Sequence, residues 1–275
     1  MVCCESDAPS VNMRESLLSK RKWEGIGELD GDSFMIHENT AMMITPNLHI
    51  RYDDVDVRAR EMGLNVDEVI FMSRHSAASG EAALTVHPIG NYGENKFGGM
   101  EKTLVPSAPS SMTDALRRIQ SYNHLPDFKI CFEVTHHGPW LDKPTFFIEI
   151  GSDERNWGNR DAADILTNVL LDLDPQENPK AVGVGGGHYA PRFTEVALNY
   201  KIDFGHMLPN YHIEGKSDDE ISHMIKMACE ATDTTMVYLH RKSMKKQDER
   251  HISDLIESLG LEQVASSDLQ PINGI

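Results

Sequence analysis

Six of the 13 histidines in this 275-residue chain stand where an apolar run breaks at glycine, proline or an acid. They are His75 in Ser73-Arg74-His75, His87 in Thr85-Val86-His87-Pro88, and the pair in Glu133-Val134-Thr135-His136-His137-Gly138-Pro139. His188 in Gly185-Gly186-Gly187-His188-Tyr189-Ala190-Pro191-Arg192 and His206 in Gly205-His206-Met207-Leu208-Pro209 complete the set. Glu149 adds a carboxylate inside an apolar run, where it needs a partner because burying an unpaired charge is costly. Imidazoles and carboxylates on several strand ends suit a divalent metal such as zinc. They suit metal-free acid–base catalysis nearly as well. Three successive glycines strip side chains from the backbone, so another molecule can approach the peptide groups before His188 and the fixed cation Arg192. The other seven histidines lack such a context and read as surface or core residues.

Spacing constrains how these groups meet. On a strand, Glu133, Thr135 and His137 share one face, and His136 points the other way with Phe132 and Val134. One metal sees both histidines only if the strand has ended by Thr135, which Gly138-Pro139 favours. No pair has the helical H-x-x-x-H spacing.

The elements that must carry these residues alternate. Strand candidates are Ser33–His37, Ala41–Thr45, Val69–Ser73, Ala83–His87, Lys129–Thr135, Thr145–Ile150, Ala181–Val184 and Met236–His240. Glu38-Asn39-Thr40 suits a hairpin between the first two. Ser111, with Asp114 three residues on, opens one predicted helix, and Ser217 opens another with a capping box to Glu220. Further helices are expected near 53–63, 160–173 and 248–260. Ser107–Ser111 reads as a loop, and Ser266–Ile275 as a patternless, loose tail. Alternation implies an α/β layered fold, expected as one domain over 1–275.

No run of 18 apolar residues suggests a membrane span, and Glu5 and Asp7 argue against a signal peptide. Cys3, Cys4, Cys131 and Cys229 form no C-x-x-C, which argues against a thiolate zinc site and fits a reducing cytoplasm. A net charge of −17 excludes broad, non-specific binding of nucleic acid but not a local basic groove. The dense basic patches are Lys20-Arg21-Lys22 and the cluster Arg241, Lys242, Lys245 and Lys246. Each is either a solvated helix face or such a groove.

The ordered motifs resemble the archaeal and plant type of D-aminoacyl-tRNA deacylase over almost the whole chain. They are Ser73-Arg74-His75-Ser76 with Ser79-Gly80, Leu84-Thr85-Val86-His87 with Gly90-Asn91 and Gly98-Gly99, Glu133 to Pro139, Ile148-Glu149-Ile150-Gly151-Ser152 with Trp157, Gly185 to Arg192, and Gly205-His206. Asp7-Ala8-Pro9-Ser10-Val11-Asn12 is similar to the family's start. The resemblance implies a layered α/β/α fold with a mixed sheet, related to phosphorylase/hydrolase-like folds. It implies hydrolysis of the ester between a D-amino acid and the tRNA 3′ end, usually with zinc. Expected roles follow: His188, Glu133 and Thr135 catalytic; His136, His137, His75, His87 and Glu149 metal ligands; Gly185, Gly186, Gly187, Arg192, Asn91 and His206 substrate-binding. Thr135 would hold the substrate amino group, and the glycine N–H groups the oxyanion or the terminal ribose and phosphate. The chain departs from the family at Val184, where a bulkier aromatic is expected, and at Asn210, where a lysine is expected. The expected partner is the 3′ end of D-aminoacyl-tRNA, with no DNA and no membrane, and a monomer is the expected state. A zinc-dependent peptidase or amidohydrolase explains the histidines equally well. A non-catalytic RNA-binding protein predicts basic–aromatic interleaving, which 7% aromatic content does not favour.

Overall fold

A computed structural model describes residues 1–272. The first half runs β1 (Val2–Cys4), α1 (Ala8–Lys20), β2 (Glu24–Leu29), β3 (Asp32–His37), β4 (Thr40–Thr45), α2 (Val55–Glu61), β5 (Val69–Arg74) and β6 (Ala83–His87). A short ribbon, β7 (Gly90–Asn91) and β8 (Thr103–Leu104), precedes α3 (Pro109–Tyr122), β9 (Lys129–Phe132), β10 (Thr145–Gly151), α4 (Glu154–Trp157) and α5 (Arg160–Leu171). The second half runs β11 (Lys180–Val184), α6 (Pro191–Asn199), β12 (Asp203–Leu208), α7 (Asn210–Ile213), α8 (Asp218–Thr232), β13 (Met236–Leu239), α9 (Lys246–Ser258) and β14 (Glu262–Val264).

The strands form a mixed eight-stranded sheet, β2-β3-β4-β1-β5-β10-β6-β9, and a parallel four-stranded sheet, β12-β11-β13-β14. All seven residues of β10 are buried, as its near-continuous apolar sequence requires. Phe146, Ile148 and Ile150 face a core under α1, α3 and α5. Phe147 and Glu149 face the other way, paired across β6 with His87 and Thr85 and across β5 with Phe71 and Ser73. This second face is apolar at Phe71 and Phe147 and polar at Glu149, and loops and α2 cover it. The small sheet has α3 and α6 on one side and α8 and α9 on the other.

The sheets join at the end of β9. The Lys129–Thr135 strand stops at Phe132, so the run beyond it leaves the sheet edge. Glu133 N–H still bonds to Val86 O at 3.0 Å, but Val134 N–H bonds to His188 O at 2.9 Å and Thr135 N–H to Met207 O at 3.2 Å. Glu133 also bridges to Tyr189. The peptide between two sheets is thereby committed residue by residue.

Other expectations shift. Ser111 does not open α3; Pro109 does, from within the expected loop, and the Ser111 hydroxyl donates to Glu68 at 2.7 Å instead. The Ser217 capping box forms as expected. α1 escaped notice because its buried face carries Ser10 and Ser16 among Met13 and Leu17. Ser10 accepts the Cys4 N–H, and Ser16 bonds to Asp164 and Thr167. β12 escaped because Gly205 and His206 interrupt its apolar pattern. A Cβ on Gly205 would lie 2.3 Å from Thr232 Cγ2, so close packing demands glycine. The tail is not loose through Ile272: its N–H bonds to Asn199 O at 2.9 Å, and Pro271 bridges to Tyr200. Residues 273–275 lie outside the described residues. Among the described residues no helix is long and apolar enough to cross a membrane.

One side chain holds the seam in place. Thr194 Oγ1 accepts the buried Phe132 N–H at 2.9 Å and donates to Ala190 O at 2.9 Å. Thr194→Val leaves that N–H without a partner, and urea denaturation is expected to register a loss of about 1–3 kcal/mol. An unchanged midpoint would mean that the Phe132 N–H is not held there.

Candidate active site

Seven of the eight predicted strand-end groups gather at this seam. His75 follows β5, His87 ends β6, Glu149 lies in β10, and Glu133, His136 and His137 sit on the segment leaving β9. His188 enters from the small sheet on the loop after β11. Glu133 Oε1 lies 3.1 Å from His75 Nδ1, and Oε2 lies 2.8 Å from His188 Nε2 and 3.6 Å from His136 Nε2. Glu149 Oε2 lies 3.7 Å from His75 Nδ1 and 3.6 Å from His87 Nε2. The rings of His136 and His137 are 4.2 Å apart, and those of His87 and His136 are 4.1 Å apart. Both His136 and His137 reach the site because the strand has ended. His137 takes φ +31° and Gly138 φ +103°, and the turn swings the second ring back.

Burial pushes the Glu133 carboxyl up, but His188 and His75, then His136 and His87, hold it well below the usual carboxylate range. Burial lowers His75 and His87, yet Glu133 raises His75, Glu149 raises His87, and both end above the ordinary imidazole value. Burial and neighbouring imidazoles push His136 and His137 well below it, so they are neutral.

Two groups of donors could hold a metal ion: His87, His136 and His137, and His75, Glu133 and His188, with ligand atoms in each group within 4.8 Å of one another. The first fits an ion best. His87 Nδ1–H donates to Pro88 O at 3.1 Å and His136 Nδ1–H to Val134 O at 2.7 Å, which leaves both Nε2 lone pairs inward. His87 Nε2, His137 Nδ1 and both oxygens of Glu149 are buried and without a hydrogen-bond partner. So many orphaned acceptors in one place call for a cation or ordered water.

His206 does not join the cluster. It is fully buried, its Nε2–H donates to Val105 O at 2.8 Å, and burial lowers it to about 4. Its Nδ1 accepts the Thr135 hydroxyl at 3.0 Å, and Thr135 Oγ1 accepts the Met207 N–H at 2.9 Å. Thr135 and His206 therefore brace the seam, and the Thr135 hydroxyl is not available to a substrate amino group. Asn91 Nδ2 is likewise engaged within the chain, donating to Gly98 O at 2.9 Å and Met100 O at 3.1 Å. Within the triple glycine, Gly185 N–H bonds to Leu208 O, and Gly186 N–H to Ser243 Oγ at 2.9 Å and Asn210 Oδ1 at 3.2 Å. Gly187 alone is exposed, with nothing within 4 Å of where a Cβ would stand. Asn210, in place of the expected lysine, pins this loop.

Sequence reasoning passed over the groups that orient His75. Tyr189 OH lies 2.7 Å from its Nε2, and Trp157 Nε1–H donates to its backbone carbonyl at 2.9 Å. Tyr189 follows His188 in the glycine motif, and that adjacency was the available signal. His49 was read as surface or core; it is a core residue packed beside the stacked pair Phe71 and Phe147, lowered to about 4 by burial.

The family model for D-aminoacyl-tRNA deacylase matches residues 62–264. The chain belongs to that family. It is 33% identical to a D-aminoacyl-tRNA deacylase of Methanosarcina mazei, covering 100% of this chain and 94% of the relative. It is 36% identical to one of Thermococcus onnurineus, covering 94% and 96%. A Methanococcoides burtonii relative is 34% identical, but the chain spans only 58% of its length. Among solved structures, a conserved protein of unknown function, AF0625, superposes with a TM-score of 0.88 at 30% identity, covering 98% of this chain and 95% of that one. The matched region contains every group of the cluster, so the site belongs to the family's shared region.

Arg192, expected to bind substrate, makes its hydrogen bonds within the chain. It donates to Tyr238 OH at 2.7 Å and 3.1 Å, to Ser266 Oγ at 2.7 Å and to Glu195 Oε2 at 2.9 Å. It ties the C-terminal segment to α6. Arg192→Ala is expected to cost about 1–3 kcal/mol in thermal or urea unfolding while leaving the salt dependence of tRNA binding unchanged. A flatter salt slope at parental stability would restore the contact to RNA.

Proposed function

We propose that the chain hydrolyses the ester joining a D-amino acid to the 3′ end of tRNA, and that His188 and Glu133 are its acid–base pair. One observation carries this reading. His188, with 39% of its side chain exposed, is the most open of the site imidazoles, and its Nε2 rests 2.8 Å from a fully buried carboxylate. Glu133 accepts from Nε2 and orients the ring, so Nδ1 is the nitrogen left to exchange a proton with the substrate. As water oxygen adds to the ester carbonyl carbon, Nδ1 takes its proton. When the bond to the ribose oxygen breaks, the same proton passes to that oxygen. Free D-amino acid and tRNA with an intact 3′ hydroxyl result. Gly187 N–H is the glycine donor left for the developing oxyanion or the ribose.

His87, His136 and His137, backed by Glu149, would hold the metal ion. Zinc suits three imidazoles bound as neutral rings, His87 having given up the proton that Glu149 favours, and would supply Lewis acidity toward the carbonyl and toward water. Tyr189 keeps His75 beside Glu133, so that carboxylate stays paired while His188 cycles. The four cysteines are buried and unpaired, in keeping with a reducing cytoplasm.

D-tyrosyl-tRNA is expected to be deacylated and L-tyrosyl-tRNA largely spared, with Glu133→Gln lowering kcat by about 10²- to 10⁴-fold. A chelator should lower the rate, and zinc should restore it. Equal release of both enantiomers, or cleavage of small peptides with tRNA untouched, would overturn the reading in favour of a general amidohydrolase.

A further inference from the structure

The two basic patches of the sequence meet different fates. In the first, Lys20 pairs with Asp164 at 3.3 Å and donates to Thr167 at 2.7 Å, and Lys22 lies 3.8 Å from Glu24. In the second, Arg241 pairs with Glu249 at 3.5 Å, whereas Lys242, Lys245 and Lys246 are exposed with no carboxylate in ion-pair range among the described residues. These lysines follow β13 on a tight turn at the start of α9, and the turn is bonded to the glycine loop. Ser243 Oγ accepts the Gly186 N–H at 2.9 Å, and Asn210 Nδ2 donates to Ser243 O at 2.7 Å. A Cβ on Gly185 would come within 2.8 Å of Ser243 Oγ and 3.1 Å of Met244 Cε, so side chains of the turn pack directly on the glycine backbone. His188 is two residues along from Gly186.

We propose that the Lys242–Lys246 turn carries the phosphate backbone of the tRNA acceptor end, next to the terminal nucleotide held at His188. This rests on the deacylase reading and adds where the polyanion lies. The chain's net charge of −17 repels RNA everywhere that cations are not gathered. A hollow of about 520 Å³ beside the turn is lined by Arg192, His240, Arg241, Lys242 and Glu195, and that acid is already engaged by Arg192. On the other side, Asp248 and Glu214 share a hollow of about 550 Å³ with Lys216 and Lys245. The backbone therefore runs along the ridge on the Lys242 side, past an Arg192 already committed to Tyr238, Ser266 and Glu195, and away from those two acids.

The test uses the full chain with Lys242, Lys245 and Lys246 all changed to alanine, beside a Lys20→Ala, Lys22→Ala control. Substrates are D-tyrosyl-tRNA and D-tyrosyl-adenosine, which lacks the phosphates. For the triple variant KM on tRNA should rise about a hundredfold near 0.15 M salt, and the log–log salt slope should flatten by about three, from the per-phosphate slope. Its kcat should hold, and D-tyrosyl-adenosine should react at the parental rate. The control should match the parent. If the parent deacylates D-tyrosyl-tRNA and the triple variant keeps its KM and slope, the turn is not the path and the proposal falls. If the parent fails on both substrates, the deacylase reading itself falls. If the triple variant also loses D-tyrosyl-adenosine hydrolysis, the lysines act on the site and not on phosphate, which again overturns the proposal.

Discussion

Two carboxylates buried beside a sheet set the terms for the rest of the molecule. Glu133 and Glu149 are both essentially without solvent access, and an ionised carboxylate in that position is very unfavourable unless cations surround it. Four imidazoles lie within 4 Å of the two acids, and a fifth, His137, completes the wall. The five come from four segments, His136 and His137 sharing the one that leaves β9. The sheet order puts β5, β10, β6 and β9 side by side, so that His75, Glu149, His87 and Glu133 fall at neighbouring strand positions. Moving any one of these strands by a single residue would turn its acid or imidazole to the apolar face.

The large sheet cannot complete the arrangement alone. Its edge at β9 ends in Glu133, and an edge with unpaired peptide groups there would leave the carboxylate open to water. The small sheet closes that edge through Val134, Thr135 and Tyr189 and brings His188 on a glycine loop. Thr135 and His206 are the joint behind it, held neutral and hydrogen-bonded. Both carry chemically capable side chains, and both direct their hydrogen bonds into the seam.

Much of this was legible in the sequence. The apolar runs of β5, β6 and β10 announce buried strands, and the groups that break them are the groups that meet. The requirement that the strand end before His136 was also readable, because alternation alone cannot put Glu133, His136 and His137 together. What escaped were features whose signal is long-range. α1 carries serines on its buried face because its partners are Cys4, Asp164 and Thr167. β12 reads as broken because Gly205 answers to Thr232, far along the chain. Arg192 beside three glycines looks like a ligand for phosphate; Glu195, three residues on, is a partner the sequence offers, and only the fold reveals Tyr238 and Ser266. Local pattern identifies which polar residues are unusual; it does not say whether the partner is a substrate or another part of the chain.

The glycine loop is where that distinction becomes physical. Three glycines in sequence look equivalent, but Gly185 and Gly186 are glycine because Ser243, Met244 and His240 crowd their Cβ positions and their φ values are +105° and +86°. Their N–H groups serve the protein. Gly187 has an ordinary backbone conformation, an open Cβ position and no crowding neighbour, so nothing inside the chain requires it to be glycine. A small residue at an unconstrained, exposed position next to His188 is explained if another molecule comes close there. The first two glycines build the loop, and the third leaves room for what the loop meets.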